Sequence, residues 1–201
     1  MLIDGLKPRL RAIRALLLPG ALLALVSFPA YPEGALATTL FEMGGLVLLI
    51  VAAGGRVWAG AYVVGRKNRT LVTEGPFSIV RNPLYFFSFL AFVGAGLSFG
   101  SVTIAAVFAL TFFITHWSTI RSEEAALEDL FGDAYLAYCS EVPRFVPALR
   151  RPRTEPGIGL DASALVGTLR ESVAIPMVFV LAQLVEWAKV HEFLPVLFRI
   201  P

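Results

Sequence analysis

Polar and charged residues suited to binding a ligand gather in residues 73–85, between two apolar segments; we call this stretch the elbow. Pro76 interrupts any helix that enters the elbow, and Pro83 favours an extended Asn82 followed by a new helix. Arg81 and Asn82 therefore lie at a helix start, where unpaired backbone N–H groups and a partial positive charge favour an anion. The elbow thus predicts a binding site for a charged ligand beside the apolar segments.

A second group of candidate residues is acidic. Residues 121–138 alternate carboxylates with leucine and phenylalanine, which predicts an amphipathic helix that continues out of an apolar span. Helical spacing places His116 on one face with Glu123 or Glu124, where a carboxylate can hold ribose hydroxyls or an ammonium group. The spacing alone favours solvated glutamates that interact with the helix dipole. The whole helix can likewise be a solvated cover.

Two further features are candidates on their own. Arg56 lies inside an apolar segment, where an arginine is costly and therefore a functional suspect, although its side chain can also extend toward the interface. Arg81 and Tyr85 are four residues apart and can share a helix face. No metal-ligand cluster, phosphate loop or serine–histidine–aspartate spacing occurs in the sequence, so we predict no metal site.

The composition indicates an integral membrane protein. Of 201 residues, 57% are hydrophobic and 16% are charged, and the mean hydropathy is +0.73. The net charge is only +2, and the basic residues cluster in short loops between apolar runs. Membrane topology accounts for this distribution better than nucleic-acid binding does. Cys139 is the single cysteine, so an intrachain disulfide is excluded.

The apolar segments predict an all-α integral membrane protein with about five transmembrane helices plus a cytoplasmic amphipathic helix. We expect one membrane domain over residues 1–201. The predicted spans are residues 13–30, 39–64, 84–99, 102–120 and 162–190. The last predicted helix lies C-terminal to the elbow and the acidic helix. As the alternative to crossing the bilayer, it lies along the membrane interface.

Basic residues also predict the orientation. Lysine and arginine precede the first span and follow the second and fourth, whereas residues 31–38 and 100–101 contain none. Because cytoplasmic loops carry the excess of lysine and arginine, the N-terminus, the elbow and the acidic helix are expected on the cytoplasmic side. We expect the membrane to be a bacterial inner membrane, with the elbow and the acidic helix close enough to form one pocket.

Several short motifs occur along residues 55–147 in one order. They are Arg56-Val57-Trp58-Ala59, Gly75-Pro76-Phe77, Val80-Arg81-Asn82-Pro83-Leu84-Tyr85, Glu123-Glu124, Phe131-Gly132 with Tyr135, and Val142-Pro143-Arg144-Phe145-Val146-Pro147. In this order the chain resembles the isoprenylcysteine carboxyl methyltransferase and phospholipid methyltransferase superfamily. Gly94-Ala95-Gly96 is similar to a glycine-x-glycine element of phospholipid methyltransferases, although small residues also permit close helix packing.

The resemblance implies an S-adenosylmethionine-dependent integral membrane methyltransferase. The cofactor-binding residues it implies are Val80, Arg81, Asn82, Pro83, Leu84, Tyr85, Glu123, Glu124 and Tyr135, and the catalytic candidates are Arg144, Arg56 and Tyr85. Similar proteins more often have histidine at position 82, so Asn82 argues against a proton relay there. Arg144 is expected to hold the cofactor carboxylate or the acidic helix, with a headgroup-facing position as the alternative.

Methyl transfer from a sulfonium needs an aligned acceptor, exclusion of water and a surface compatible with a cation. Aromatic candidates for that surface are Phe77, Tyr85, Tyr135 and Tyr138. The implied partners are the membrane and a lipophilic or membrane-embedded acceptor with a carboxylate, amine or thiol, which enters between helices. A non-enzymatic membrane carrier or assembly factor is the alternative function.

Overall fold

The computed structural model describes residues 18–31, 35–63, 65–66, 69–153 and 162–201. The elements in chain order are α1 (residues 18–26), β1 (Ser27–Pro29), α2 (Leu36–Val63), a 3-10 turn (Gly75–Ser78), α3 (Pro83–Leu97), α4 (Val102–Phe131), α5 (Asp133–Glu141), α6 (Ala162–Val190) and β2 (Phe198–Ile200). The described chain is mostly helical, as the apolar segments predicted.

Three helices among the described residues are long and apolar enough to cross a membrane. They are Leu36–Val63, Val102–Phe131 and Val166–Val190. Helix α3 is apolar but has only 15 residues, fewer than the roughly 17 that a straight crossing needs. These features are those of an integral membrane protein, while the total of about five spans stays a prediction. Residues 13–17 of the predicted first span lie outside the described residues.

The first predicted span is too long at its C-terminal end. The helix ends at residue 26, and β1 then pairs in parallel with β2 near the end of the chain. Flanking bonds extend this pairing, from Leu197 N–H to the Val26 carbonyl and from Ala30 N–H to the Ile200 carbonyl, both at 2.8 Å. Strands of three residues carry no usable periodicity, so the sequence pattern gave no sign of them.

The acidic segment is also not a single helix, which corrects the sequence-based prediction. Helix α4 does continue beyond the apolar span, but it ends at Phe131, and α5 begins at Asp133. Between them Gly132 has φ of 51°, a conformation that glycine adopts without the steric cost met by other residues. The chain therefore changes direction inside residues 121–138.

The chain divides into two compact units, and the assignment of one membrane domain stays a prediction. The first unit comprises residues 1–49, 91–117 and 176–201, and the second comprises residues 50–90 and 118–175. In the first unit, a Cβ on Gly96 would lie 2.3 Å from the Ala105 Cα, and one on Gly94 would lie 2.9 Å from the Gly45 carbonyl oxygen. Gly94 and Gly96 therefore permit close helix packing, the alternative noted from the sequence.

A buried lysine links two helices of the first unit. Lys189 is only 4% exposed, and its ammonium donates to the carbonyls of Ala24 and Ser27 at 2.7 Å and to Glu186 at 2.6 Å. These three bonds satisfy the three protons of the ammonium group. They tie α6 to the end of α1, where the helix gives way to β1.

The second unit contains both the elbow and α5. A small core of Tyr135, Tyr138 and Val142 packs against Leu71, Leu127, Phe131 and Cys139. At the entry of the elbow, Gly75 has φ of 57°, and a Cβ there would lie 2.4 Å from the Tyr62 ring. A glycine is therefore required at this position for both conformation and space.

Candidate functional site

The elbow has the local structure that its prolines predict. Gly75–Ser78 forms a 3-10 turn, and α3 begins at Pro83. The Tyr138 hydroxyl of α5 donates a 2.7 Å hydrogen bond to the Phe77 carbonyl. The turn is thereby fixed to α5 rather than exposed as a free loop.

Glu124 connects three segments of the second unit. Its carboxylate accepts a 2.7 Å hydrogen bond from Arg144 Nε and a 2.8 Å hydrogen bond from Asn82 Nδ2. Arg81 Nε lies 3.5 Å from the same carboxylate. Glu124 is 7% exposed, and a carboxylate at that depth requires such partners to remain charged.

Asn82 uses its side-chain amide twice. Besides the bond to Glu124, Nδ2 donates to the Arg144 carbonyl at 3.1 Å. One NH₂ group has two protons, so a single amide nitrogen can link α4 and the segment after α5 to the start of α3. This arrangement gives position 82 a geometric role that needs no titration.

A cavity of about 320 Å³ lies beside these residues, entirely within the second unit. Its volume is in the range of roughly 300–1,000 Å³ that is usual for small-molecule sites. The lining combines apolar, aromatic and charged side chains, namely Val63, Thr70, Leu71, Val72, Phe77, Arg81, Asn82, Pro83, Leu84, Tyr85, Glu123, Ala126, Leu127, Tyr135 and Tyr138. The elbow therefore forms one wall, and α4 with α5 forms another.

The tyrosines of α5 remain neutral in this environment. Burial raises the pKa of Tyr135 above its ordinary value, and the nearby Glu124 carboxylate raises it further. Burial is also the main cause that raises the pKa of Tyr138, against an opposing effect of Arg81. Both phenols therefore stay protonated through the neutral range and present polar but uncharged groups.

Most of the cofactor-binding residues implied by the resemblance come together here. Those lining the cavity are Arg81, Asn82, Pro83, Leu84, Tyr85, Glu123 and Tyr135. Val80 is buried at 1% exposure and is not in the lining. Glu124 and the catalytic candidate Arg144 are also not in the lining, and they bind each other.

Arg56 has a different neighbourhood. Its Nη1 donates a 2.6 Å hydrogen bond to Ser88 Oγ, and its Nη2 lies 3.6 Å from the Glu171 carboxylate. Its side chain is 24% exposed, and Arg56 is not in the cavity lining. Hydroxyl and carboxylate partners reduce the cost of an arginine within an apolar helix.

Some lining residues were missed from the sequence. Ala126 and Leu127 follow Glu123 by three and four positions, so the helical face of Glu123 contained the signal that identifies them. Residues 70–72 lie in an irregular segment without periodicity, and no local pattern marks them. Among the described residues, no group of three or more histidine, cysteine, aspartate or glutamate side chains could hold a metal ion.

The fold and the site together define a helical integral membrane protein. Its partly polar cavity, of a size usual for small-molecule sites, lies where the elbow leads into α3. A sequence model of the family described as "Phospholipid methyltransferase" matches residues 35–134. No solved structure matches the chain.

Three curated proteins are similar to the chain. The nickel-cobalt-cadmium resistance protein NccN of Alcaligenes xylosoxydans xylosoxydans is 33% identical over 78% of this chain and 73% of its own length. The cobalt-zinc-cadmium resistance protein CzcN of Cupriavidus metallidurans is 33% identical over 70% of this chain and 65% of its own length. The protein-S-isoprenylcysteine O-methyltransferase of Schizosaccharomyces pombe is 32% identical over 41% of this chain and 35% of its own length.

The chain belongs to the isoprenylcysteine carboxyl methyltransferase and phospholipid methyltransferase superfamily. The family match begins one residue before α2, well before the first motif at Arg56, and ends within α5.

Proposed function

We propose that the protein is an S-adenosylmethionine-dependent methyltransferase of a bacterial inner membrane that acts on a lipophilic or membrane-embedded acceptor. The single observation that carries this proposal is the cavity in which the family motifs meet, with Arg81, Glu123 and Tyr85 in its lining. Membership of the superfamily supports the same reaction class.

The residues of the cavity fit the proposed cofactor by charge. Arg81 and Arg144 both lie on the carboxylate of Glu124, and Arg81 also lines the cavity. An anionic group such as the cofactor carboxylate suits the Arg81 end of the lining. Glu123 can accept hydrogen bonds from ribose hydroxyls or from an ammonium group.

The lining also suits the remainder of the cofactor. Its aromatic members, Phe77, Tyr85 and Tyr138, provide faces for an adenine ring or for a cationic sulfonium. When bound, S-adenosylmethionine supplies a methyl group that an acceptor displaces directly from the sulfonium. The protein's contribution is to align the acceptor and exclude water, and alignment contributes about 7–11 kcal/mol in favourable cases.

We propose a different role for each of the catalytic candidates. Tyr85 lines the cavity and stays a candidate for direct contact with the reacting groups. Arg144 is better described as a positioning residue, because its Nε binds Glu124 and its carbonyl accepts from Asn82. Arg56 is proposed not to contact the cofactor, because its guanidinium binds Ser88 and does not line the cavity.

The acceptor is proposed to enter from the bilayer. The elbow joins two apolar helices, α2 and α3, so its residues are expected at the headgroup level on the cytoplasmic side. A lipid-anchored carboxylate, amine or thiol needs only a gap between helices to reach that level. The polar cofactor would enter from the cytoplasm.

Isothermal titration of the purified protein with S-adenosylhomocysteine tests the cofactor assignment. We expect saturable binding at one site, weakened when Arg81 is changed to alanine. A screen of lipid extracts with methyl-labelled S-adenosylmethionine would then identify the acceptor class. No heat of binding and no labelled product would refute the proposal.

A second candidate is a non-enzymatic membrane carrier or assembly factor. The observation in its favour is that two similar proteins carry names of metal resistance proteins. A complementation assay for metal resistance separates the two candidates. A carrier should still confer resistance when Arg81→Ala abolishes cofactor binding. A methyltransferase loses function with the same substitution.

A further inference from the structure

The segment after α5 covers the elbow along most of its length. We call residues 142–153 the strap. Three backbone hydrogen bonds link the two segments: Arg81 N–H to the Pro143 carbonyl at 2.9 Å, Ala148 N–H to the Ile79 carbonyl at 2.8 Å, and Gly75 N–H to the Arg153 carbonyl at 2.6 Å. The strap has no regular secondary structure, but these bonds hold it to the elbow at three points.

Ser78 is the point where the strap holds the 3-10 turn. The guanidinium of Arg150 donates from both Nε and Nη2 to the Ser78 carbonyl. Arg153 N–H donates to Ser78 Oγ at 2.9 Å, and Ser78 Oγ donates to the Gly75 carbonyl at 2.7 Å. Ser78 is 2% exposed, so the strap satisfies polar groups that are withdrawn from water.

The position of Ser78 relates this contact to the cavity. Phe77 directly precedes Ser78, Arg81 follows it by three residues, and both line the cavity. The elbow has no long helix of its own to fix these residues, since the 3-10 turn has four residues and α3 begins at Pro83. Two N–H donors of one planar guanidinium that converge on the same carbonyl oxygen restrict it in both distance and direction.

We propose that Arg150 is a positioning residue for the cofactor cavity, acting through the Ser78 carbonyl to hold Phe77 and Arg81 in place. Arg150 lies beyond the motifs that end at Pro147 and is not in the cavity lining, so nothing in the motif pattern assigns it a role. The proposal rests on the proposed function, because the ligand it positions for is S-adenosylmethionine.

The test compares Arg150→Ala and Arg150→Lys with Arg151→Ala, a control at the exposed neighbouring arginine that removes the same charge. The probe is S-adenosylhomocysteine, titrated into the full-length protein in detergent. We expect Arg150→Ala to weaken binding by about tenfold or more, as the loss of charged hydrogen bonds does. Arg150→Lys should fall between, since an ammonium cannot supply the planar pair of donors, and Arg151→Ala should bind as the wild type does.

Hydrogen exchange of the elbow amides gives a readout that needs no ligand. Arg150→Ala should speed exchange at Val80 and Arg81, while Arg151→Ala should not. Wild-type affinity and wild-type exchange in both Arg150 variants would overturn the role of Arg150 and leave the proposed function intact. Equal effects in Arg150→Ala and Arg151→Ala would also overturn it, as a general charge effect. Faster exchange in a protein that never binds the probe would instead refute the cofactor assignment and keep Arg150 as the residue that orders the elbow.

Discussion

Arg144 donates a 2.7 Å hydrogen bond from Nε to the Glu124 carboxylate, which joins the segment after α5 to the acidic part of α4. The Arg144 side chain is 42% exposed and that of Glu124 only 8%, so the carboxylate, not the arginine, is the buried member. Glu123 has the opposite position, exposed and in the cavity lining. The two adjacent glutamates therefore have different surroundings, since Glu124 binds Arg144 and Asn82 whereas Glu123 lines the cavity.

This division predicts different results from two single substitutions. Glu124→Gln removes the carboxylate that Arg81 and Arg144 share and should lower the free energy of unfolding by about 1–3 kcal/mol, along with cofactor affinity. Glu123→Gln should weaken S-adenosylhomocysteine binding, and because Glu123 is exposed it should lower the unfolding temperature less than Glu124→Gln does. Calorimetric titration and unfolding of both variants check this. Equal unfolding temperatures for the two variants would contradict the division of roles.

The buried tyrosines predict a loss of stability in alkali. Burial raises the pKa of Tyr135 and Tyr138 in the folded protein, while an unfolded tyrosine titrates near about 10. Their contribution to stability is therefore complete below pH about 10 and declines as the pH rises beyond it. In the Tyr135→Phe and Tyr138→Phe variants, the free energy of unfolding should decline less steeply between about pH 9.5 and 11. The difference in slope should be on the order of one titrating group for each variant. An unchanged slope in both would refute the effect.

The glycine pair in α3 predicts a packing effect without a binding effect. Gly96→Ala places a Cβ against the Ala105 backbone and should destabilise the fold by about 1–3 kcal/mol. Gly44→Ala is the matched control, because open space surrounds that helical position and the substitution should be neutral or stabilising. Unfolding measurements report the difference. A reduced intrinsic affinity for S-adenosylhomocysteine in folded Gly96→Ala protein would instead point to a ligand contact.

Entry from the bilayer predicts a dependence on acceptor chain length. Each CH₂ group buried in the membrane contributes about 0.8 kcal/mol to partitioning, so longer acyl or prenyl chains should react at lower bulk concentration. The comparison is kcat/KM across a chain-length series in one fixed lipid or detergent. A water-soluble analogue with the same reacting group should be poor. Equal efficiency for both would favour a cytosolic small-molecule substrate.

Loop charges predict that the strap faces the cytoplasm. Reporter fusions after residues 34 and 147 test this, with the first exported and the second retained inside. Export of the reporter at residue 147 would place the cavity on the wrong side for a cytoplasmic cofactor. A reporter inserted after residue 147 in the full chain, with α6 retained, would show whether the last helix affects that result.

Local features of the sequence determined the helices and the elbow. Apolar runs predict α2 and the start of α4. Pro76 and Pro83 mark where regular structure stops and restarts, because their effects act within a few residues. The ordered motifs also placed Arg81, Asn82 and Tyr85 in one candidate site before any contact was known. Those residues do line one cavity.

Only the tertiary structure decided which of these side chains line the cavity and which bind one another. Consecutive residues of a helix point about 100° apart, so the choice between Glu123 and Glu124 depends on where α3 and the strap lie around α4. The pairing of Arg150 with Ser78 joins residues 72 positions apart, and no local pattern records a contact at that separation. Burial and hydrogen-bond partners arise from several segments at once, which is why the sequence predicted the location of the site but not the arrangement that holds it.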